Sequence, residues 1–148
     1  MVIYLGADHR GFRLKETLKA LLLKHGYEVV DCGANKENPD DDYADFASEV
    51  GSRVSQASDV SRGVLLCGSG AGMDMVANKF KNVRSVLGFV PDQVYAARHD
   101  DDANVLCVAA DFANEKQARA MLAVFLETPF SNEERHMRRL EKIQQLEI

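Results

Sequence analysis

The sequence predicts an α/β fold in which a five-stranded parallel sheet carries helices on both faces. Two observations support this prediction: five short apolar runs have the length of buried strands, and the stretches between them place apolar residues at helical spacing. Turn signals typical of hairpins are missing, so successive strands are expected to lie parallel. The strands are predicted over residues 2–6, 27–31, 63–66, 83–87 and 104–109.

The helices follow from the apolar spacing and from the residues at their ends. Apolar residues recur at helical intervals from Phe12 to Leu22, and Gly26 is expected to stop that helix. Pro91 stands where the fourth helix begins, and that helix is expected to end near Arg98. The six helices are predicted over residues 12–25, 43–54, 73–79, 91–98, 113–126 and 132–147.

The composition indicates a single globular domain over residues 1–148, because no linker, repeat or low-complexity segment divides the chain. The net charge of −5 argues against a nucleic-acid or membrane-surface partner. No apolar run approaches the roughly 18 residues of a membrane span. The three cysteines are widely spaced and form neither a disulfide framework nor a metal-type pair, so a cytoplasmic location is expected.

The most informative stretch is residues 64–72, where an apolar run ends in Cys67 and a loop with three glycines follows. A strand, a tight glycine turn and a helix start leave backbone N–H groups free to bind anions or stabilise developing negative charge. A thiol beside such a loop is a candidate proton acceptor or nucleophile. The alternative is a cysteine packed in the core, which is the role expected for Cys32 and Cys107.

Other polar residues are expected at the same edge, because ligands of open parallel sheets lie outside the carboxyl ends of the strands. The expected segments are Asp8-His9, residues 67–72 and the turn before Asn104, which contains His99 and three aspartates. A helix cap at Asp8 and a solvated acidic turn are the structural alternatives.

One basic pair stands out in the last predicted helix. Arg135 and Arg139 are four residues apart, so both lie on one side of that helix. Two guanidinium groups on one face match a phosphate dianion, and a solvated surface is the alternative.

Taken together, these residues resemble the ribose-5-phosphate isomerase B family, which also contains the galactose-6-phosphate isomerase subunits. The two specific matches are residues 6–12 and 67–72, and the others follow in order over nearly the whole chain. The resemblance implies a Rossmann-like three-layer sandwich. The matching pieces are Gly6-Ala7-Asp8-His9-Arg10-Gly11-Phe12, Asp42-Tyr43, Cys67-Gly68-Ser69-Gly70-Ala71-Gly72, Ala77-Asn78-Lys79, Asn104-Val105-Leu106 and Arg135-His136.

The resemblance implies that an aldose phosphate and a ketose phosphate interconvert through a cis-enediolate, without a metal or an organic cofactor. Cys67 matches the base that moves a proton between C1 and C2, and the loop N–H groups match an oxyanion hole. Ser69 matches a hydroxyl that assists ring opening. Substrate contacts are implied for Asp8, His9, Tyr43, Gly68, Gly70, Ala71, Gly72, Asp101, Arg135 and Arg139.

The resemblance also implies a shared site, because in the family each site lies between two subunits. A homodimer or homotetramer is therefore expected. The C-terminal helix, about residues 132–147, would complete the site or the interface.

Three positions depart from the family pattern. The ring-opening histidine falls at Asp100, with His99 one place too early, and a substrate-contacting asparagine becomes Asp101. A phosphate-contacting arginine falls at Asp111, whose carboxylate would repel a phosphate. Whether His99 or Asp100 takes over ring opening is left open by the sequence.

The leading prediction is an isomerase of ribose 5-phosphate and ribulose 5-phosphate. Loss of the histidine suits a tetrose phosphate instead, because that sugar has no C5 hydroxyl to close a furanose ring. A hexose phosphate isomerase and a non-catalytic sugar-phosphate binding protein are further alternatives. Retention of Cys67 and the complete glycine loop favours an enzyme.

Overall fold

The computed structural model describes residues 1–148 and alternates strands with helices along the chain, as the sequence predicts. None of the six helices has both the length and the apolar character that crossing a bilayer requires. The elements are β1 (Val2–Ala7), α1 (Phe12–Lys24), β2 (Glu28–Asp31), α2 (Tyr43–Gln56), β3 (Ser61–Cys67), α3 (Ala71–Ala77), β4 (Ser85–Gly88), α4 (Pro91–Asp101), β5 (Val105–Ala109), α5 (Glu115–Glu127) and α6 (Glu134–Gln144).

The five strands form one sheet in the order β2-β1-β3-β5-β4, and every neighbouring pair is parallel. This confirms the predicted parallel sheet. The register pairs Cys67 at the end of β3 with Ala109 at the end of β5, and Gly63 with Val105 at their beginnings. All carboxyl ends therefore lie along one edge of the sheet and all amino ends along the opposite edge.

Helices cover both faces of the sheet, which confirms the three-layer sandwich. Successive side chains of β3 point to opposite faces: Val64 and Leu66 belong to the core under α1, α4 and α5, while Leu65 and Cys67 belong to the core under α2 and α3. Strands buried on both faces read as continuous apolar runs, and that is why the sequence reveals them.

A buried charge network anchors α1 to the end of β2. The Lys15 side chain is fully buried, and its Nζ donates to both carboxylate oxygens of Asp31, at 2.9 and 2.7 Å. Lys19 donates to the same carboxylate at 2.8 Å. Burial alone would raise the pKa of Asp31, but the two ammonium groups, together with the Gly33 N–H, outweigh it and hold that pKa below its usual range.

The fourth helix is longer than the sequence predicts, because α4 continues through Asp101. His99, Asp100 and Asp101 therefore lie on its last turn rather than in a loop. The helix ends at Asp102, which adopts the left-handed conformation at φ 46°. The Asp102 carboxylate accepts hydrogen bonds from Arg84 at 2.7 Å and from Arg98 at 2.8 Å, and these two bonds hold the turn.

Candidate active site

The Cys67 thiol lies at the carboxyl end of β3 and is almost completely buried, with 4% of the residue exposed. The backbone N–H of Gly70 donates to its sulfur at 3.2 Å, so a donor points at the atom that would carry negative charge. The Cys67 carbonyl accepts from Ala110 at 2.8 Å and the Gly68 carbonyl accepts from Asp111 at 3.0 Å. These two bonds tie the start of the loop to the segment after β5.

The glycine loop has its shape for two separate reasons. Gly70 has φ +73°, and a Cβ there would lie 2.4 Å from Leu87 Cδ1. At Gly72 a Cβ would lie 2.6 Å from the ring of Tyr43, so that ring packs directly on the loop. Because α3 has only seven residues, the individual N–H groups of the turn, rather than a long helix dipole, supply its positive character.

Asp8 and His9 lie beside this loop, directly after β1. The buried carboxylate of Asp8 accepts from the backbone N–H groups of Arg10 at 3.0 Å and Gly11 at 3.1 Å, and the Asp8 N–H donates to Leu66 at 3.3 Å. Asp8 therefore stabilises the loop between β1 and α1 and also lies at the candidate site.

His9 is held by Asp41. The Oδ1 atom of Asp41 accepts from the His9 backbone N–H at 3.0 Å and lies 2.7 Å from Nδ1 of the ring. This hydrogen bond raises the pKa of His9 above its ordinary 6.5. The ring therefore offers its Nε2 side, with increased cationic character, to a ligand.

Asp111 is paired with Arg10. The Arg10 Nη2 donates to the Asp111 carboxylate, and the guanidinium lies directly over Gly68, where a Cβ would be 2.3 Å from Cζ. The negative charge of Asp111 is thus met by a cation within the same chain. Ser69, the residue after Gly68, is exposed.

We call Asp8, His9, Tyr43 and residues 67–72 the carboxyl-edge cluster. The structure brings these predicted site residues together around one loop.

The remaining predicted site residues form a second group at the ends of α4 and α6. His99 Nδ1 lies 2.7 Å from Asp100 Oδ1, and the Tyr95 ring stacks on the imidazole with centroids 5.3 Å apart. The buried ring of His136 approaches Asp100 at 3.7 Å and is held by the Ser131 hydroxyl at 2.6 Å. The hydrogen bond with His99 lowers the pKa of Asp100 below its usual range.

Asp101, Arg135 and Arg139 are exposed in the same region. Arg135 pairs with Glu133 at 2.8 Å, and its side chain stays 60% exposed. We call His99, Asp100, Asp101, Arg135 and Arg139 the amino-edge cluster.

The two clusters lie at opposite edges of the sheet, so the expectation that the turn before Asn104 would join the Cys67 loop was wrong. Asn104 accepts from Gly63 N–H at 2.9 Å at the start of β5, whereas Cys67 pairs with Ala109 at its end. At about 3.3 Å per residue, this strand alone separates the edges by roughly 13 Å. Helix α4 returns antiparallel to the strands, and this direction carries His99 and Asp100 away from Cys67.

Two groups have potential metal ligand atoms within 4.8 Å of one another: His99, Asp100 and His136, and Asp8, His9 and Asp41. In both groups a histidine nitrogen already contacts a carboxylate oxygen at 2.7 Å. A metal would have to replace these contacts, so hydrogen bonding explains both arrangements.

Sequence reasoning missed three residues that the structure places at the two clusters. Asp41 was only one member of an acidic run, and Arg10 and His136 were parts of matching motifs to which no role was given. Only Arg10 could have been identified from the sequence, because it lies between a candidate site histidine and a loop glycine. Nothing local distinguishes Asp41 from Asp40 or Asp42.

The fold and the thiol-containing loop define an α/β protein with a candidate anion site at the carboxyl edge of its parallel sheet. The sequence profile of the Ribose/Galactose Isomerase family matches residues 3–143, and the chain belongs to this family. The family predicted from the sequence is therefore confirmed.

Relatives match along most of their length. A probable ribose-5-phosphate isomerase B of Mycoplasma genitalium is 38% identical over 141 residues, covering 95% of this chain and 92% of the relative. The ribose-5-phosphate isomerase B of Mycobacterium tuberculosis is 34% identical over 147 residues, covering 99% and 90%.

Solved structures give the same result. The Mycoplasma genitalium ribose-5-phosphate isomerase B with bound ribulose-5-phosphate superposes with a TM-score of 0.94 at 37% identity, covering 97% of this chain and 94% of that one. The Thermotoga maritima ribose 5-phosphate isomerase gives a TM-score of 0.91 at 36% identity, covering 98% of both chains.

Proposed function

We propose that this protein is an aldose–ketose isomerase that interconverts ribose 5-phosphate and ribulose 5-phosphate. The observation that supports this most directly is the Cys67 thiol, buried beside an N–H-lined loop in a fold shared with ribose-5-phosphate isomerases of the B type. A protein that only binds a sugar phosphate has no need of a thiol at this place.

In the proposed reaction the Cys67 thiolate removes the proton from C2 of the open-chain aldose. The electron pair forms the C1–C2 double bond, and the carbonyl oxygen on C1 takes the negative charge. The proton of the C2 hydroxyl then moves to this oxygen, and the thiol returns its proton to C1, which leaves a carbonyl at C2. Atoms and charge balance, and Cys67 is restored.

The loop N–H groups stabilise the enediolate, because they point to where charge develops and need no reorganisation during the reaction. Asp8 is held on two backbone N–H groups and can orient sugar hydroxyls. His9, with its pKa raised by Asp41, suits contact with the phosphate. Tyr43 closes the side of the loop at Gly72.

We propose further that two copies share each site. Within one chain, Arg135, Arg139, His99 and Asp100 lie at the edge opposite Cys67, so a partner would have to supply the ring-opening and phosphate-binding groups. Phe89 and Phe112, which follow β4 and β5 at the carboxyl edge, are 82% and 81% exposed. Large exposed apolar side chains beside a polar site are typical of a surface covered by a partner.

A tetrose phosphate is the second candidate substrate. Because the Asp100 carboxylate is engaged by His99 and its pKa is lowered, it is a weak base for opening a furanose ring. A substrate without that ring would need no such base.

Turnover of a sugar-phosphate panel by wild type, Cys67→Ala and Cys32→Ala tests the proposed chemistry. Cys32 is the matched control: it is a half-buried thiol just after β2, and burial raises its pKa to about 11. We expect Cys67→Ala to lower kcat for ribose 5-phosphate by about 10²- to 10⁴-fold, while Cys32→Ala keeps wild-type turnover. Wild-type binding without turnover of any sugar phosphate would instead indicate a binding protein.

Mixed oligomers test the shared site. Cys67→Ala and the double variant Arg135→Ala/Arg139→Ala are each expected to be nearly inactive alone. Unfolding and refolding them together at equal amounts produces hybrids with one intact site, so activity should return to about a quarter of the wild-type value for a dimer. No recovery from hybrids detected by mass spectrometry would contradict a shared site.

We also infer a cytoplasmic location, which the three free cysteines support. Two of them, Cys67 and Cys107, are buried as thiols, as expected in a reducing compartment.

A further inference from the structure

We propose that Arg10 is a phosphate-binding residue of this site and that Asp111 is the positioning residue that holds it there. This inference rests on the proposed sugar-phosphate substrate. It starts from the guanidinium over Gly68, one residue after the Cys67 thiol.

The backbone fixes where the Arg10 side chain begins. The Arg10 N–H donates to Asp8 at 3.0 Å, and the next residue, Gly11, packs so closely that a Cβ would lie 2.3 Å from the Leu66 carbonyl oxygen. The β1–α1 loop therefore cannot move independently of β3. From this fixed start the side chain crosses to Gly68 and reaches Asp111.

Asp111 fixes the other end. Its own N–H donates to the Gly68 carbonyl at 3.0 Å, so the carboxylate is held by the same loop that the guanidinium covers. An ordinary surface ion pair joins two flexible side chains and contributes little stability. Here the Asp111 backbone is hydrogen-bonded to the Cys67 loop, and the residue after Arg10 packs on Leu66 at the end of β3, so the pair has a defined position beside the loop.

The paired guanidinium still has free donors. Arginine carries five N–H groups, and the only side-chain hydrogen bond of Arg10 uses Nη2, which leaves Nε and Nη1 without a protein acceptor. These nitrogens lie against Gly68, and the side chain remains 55% exposed. A half-exposed guanidinium with free N–H donors beside an N–H-lined loop fits a phosphate oxygen.

The charges at the carboxyl edge of the sheet also favour binding of a phosphate at Arg10. One positive group, Arg10, is neutralised by Asp111, and the adjacent His9 has a raised pKa because of Asp41. A phosphate arriving here meets a guanidinium and an imidazole rather than an uncompensated carboxylate. Asp111 therefore organises the cation instead of repelling the ligand.

Binding of ribose 5-phosphate by calorimetry, in a Cys67→Ala background that prevents turnover, tests the proposal. We expect Arg10→Ala to weaken binding by about tenfold to a hundredfold, the loss typical of one charged hydrogen-bonding contact. Arg13→Ala is the matched control, because Arg13 lies three residues further on, is 87% exposed and pairs with Glu37 outside the site. Arg13→Ala should bind as tightly as the background protein.

A second variant distinguishes a phosphate contact from a structural role. The double variant Arg10→Ala/Asp111→Arg removes the guanidinium at position 10 and introduces one at position 111, the other member of the ion pair. Its affinity for ribose 5-phosphate should therefore recover at least in part. Free ribose, which lacks the phosphate, should bind equally to all variants.

Unchanged affinity in Arg10→Ala would overturn the proposal, and so would an equal loss for ribose 5-phosphate and free ribose. Inorganic phosphate serves as an additional probe. If the wild-type protein turns over no sugar phosphate, the proposed isomerase activity fails, whereas the effect of Arg10→Ala on phosphate affinity still decides the role of Arg10.

Discussion

The carboxyl-edge and amino-edge clusters are held in different ways. In the carboxyl-edge cluster most functional groups contact the backbone: Asp8 accepts two N–H groups, Cys67 accepts one, and the Tyr43 ring packs on a glycine, whereas only the His9 ring is held by a side chain. In the amino-edge cluster, His99 and Asp100 contact side chains at the end of a helix.

In the proposed shared site, this difference indicates which half is ordered before a ligand arrives. Groups fixed by the backbone of a sheet edge cost no reorganisation when charge develops, which suits the proton transfer. Exposed arginines lose side-chain entropy when they bind, so their order depends on the ligand and on the partner that would bring them to Cys67.

Among the substitutions that compare the two clusters, the largest loss of activity is expected at Gly70. Gly70→Ala forces a left-handed residue and places a Cβ 2.4 Å from Leu87 Cδ1 and 3.3 Å from the Ala109 backbone nitrogen, so either the Leu87 side chain or the loop must shift. We expect kcat to fall by about a hundredfold, because the N–H donors move away from the oxyanion position.

Gly26→Ala is the matched control for this prediction. Gly26 has φ +80°, and no atom lies within 4 Å of the place that an added methyl group would take. Only the backbone cost, about 1 kcal/mol of unfolding free energy, is therefore expected. Its kcat should be unchanged. A normal kcat in Gly70→Ala would mean that the loop geometry is not used in the reaction.

A smaller effect is expected at His99 in the amino-edge cluster. Because Asp100 accepts from Nδ1, the Nε2 atom of His99 is the better acid or base for ring opening. We expect His99→Asn to lower kcat for ribose 5-phosphate by about a hundredfold and to leave turnover of an open-chain tetrose phosphate unchanged.

Asp92→Asn, on the first turn of the same helix, is the control and should match wild type on both substrates. Equal losses on both substrates in His99→Asn would show that His99 acts in the proton transfer or in the fold, and not in ring opening.

The smallest effect is a change of titration at His9. Asp41→Asn removes the carboxylate whose hydrogen bond raises the pKa of His9, so this pKa should fall toward 6.5. In the wild type, the stability from this pair is fully present below the unfolded pKa and is lost as pH rises through the raised folded pKa. The advantage of wild type over Asp41→Asn should therefore disappear above that pKa.

NMR titration of the His9 ring measures the pKa directly, and denaturant unfolding at several pH values measures the stability. Asp40→Asn, an exposed neighbour, should leave the titration of His9 in place. If the pKa of His9 is the same in Asp41→Asn as in the wild type, Asp41 does not hold the His9 ring in solution.

The strand pattern and the Cys67 loop could be predicted because their signals are local. Buried parallel strands read as apolar runs, and a thiol before three glycines is visible within nine residues of sequence. The ends of the elements were predicted less accurately. Helix α4 continues through Asp101 because the Asp102 carboxylate accepts hydrogen bonds from Arg98 and from Arg84, which lies eighteen residues earlier in the chain.

The sequence by itself determined the α/β class, the parallel sheet, the loop that follows Cys67 and the family. Only the tertiary structure decided which polar residues meet. It joins Asp41 to His9 across 32 residues and Arg10 to Asp111 across 101, and it places His99 and Asp100 at the edge opposite Cys67. The physical reason is direction: parallel strands bring every carboxyl end to one edge, and each returning helix carries its last turn to the other.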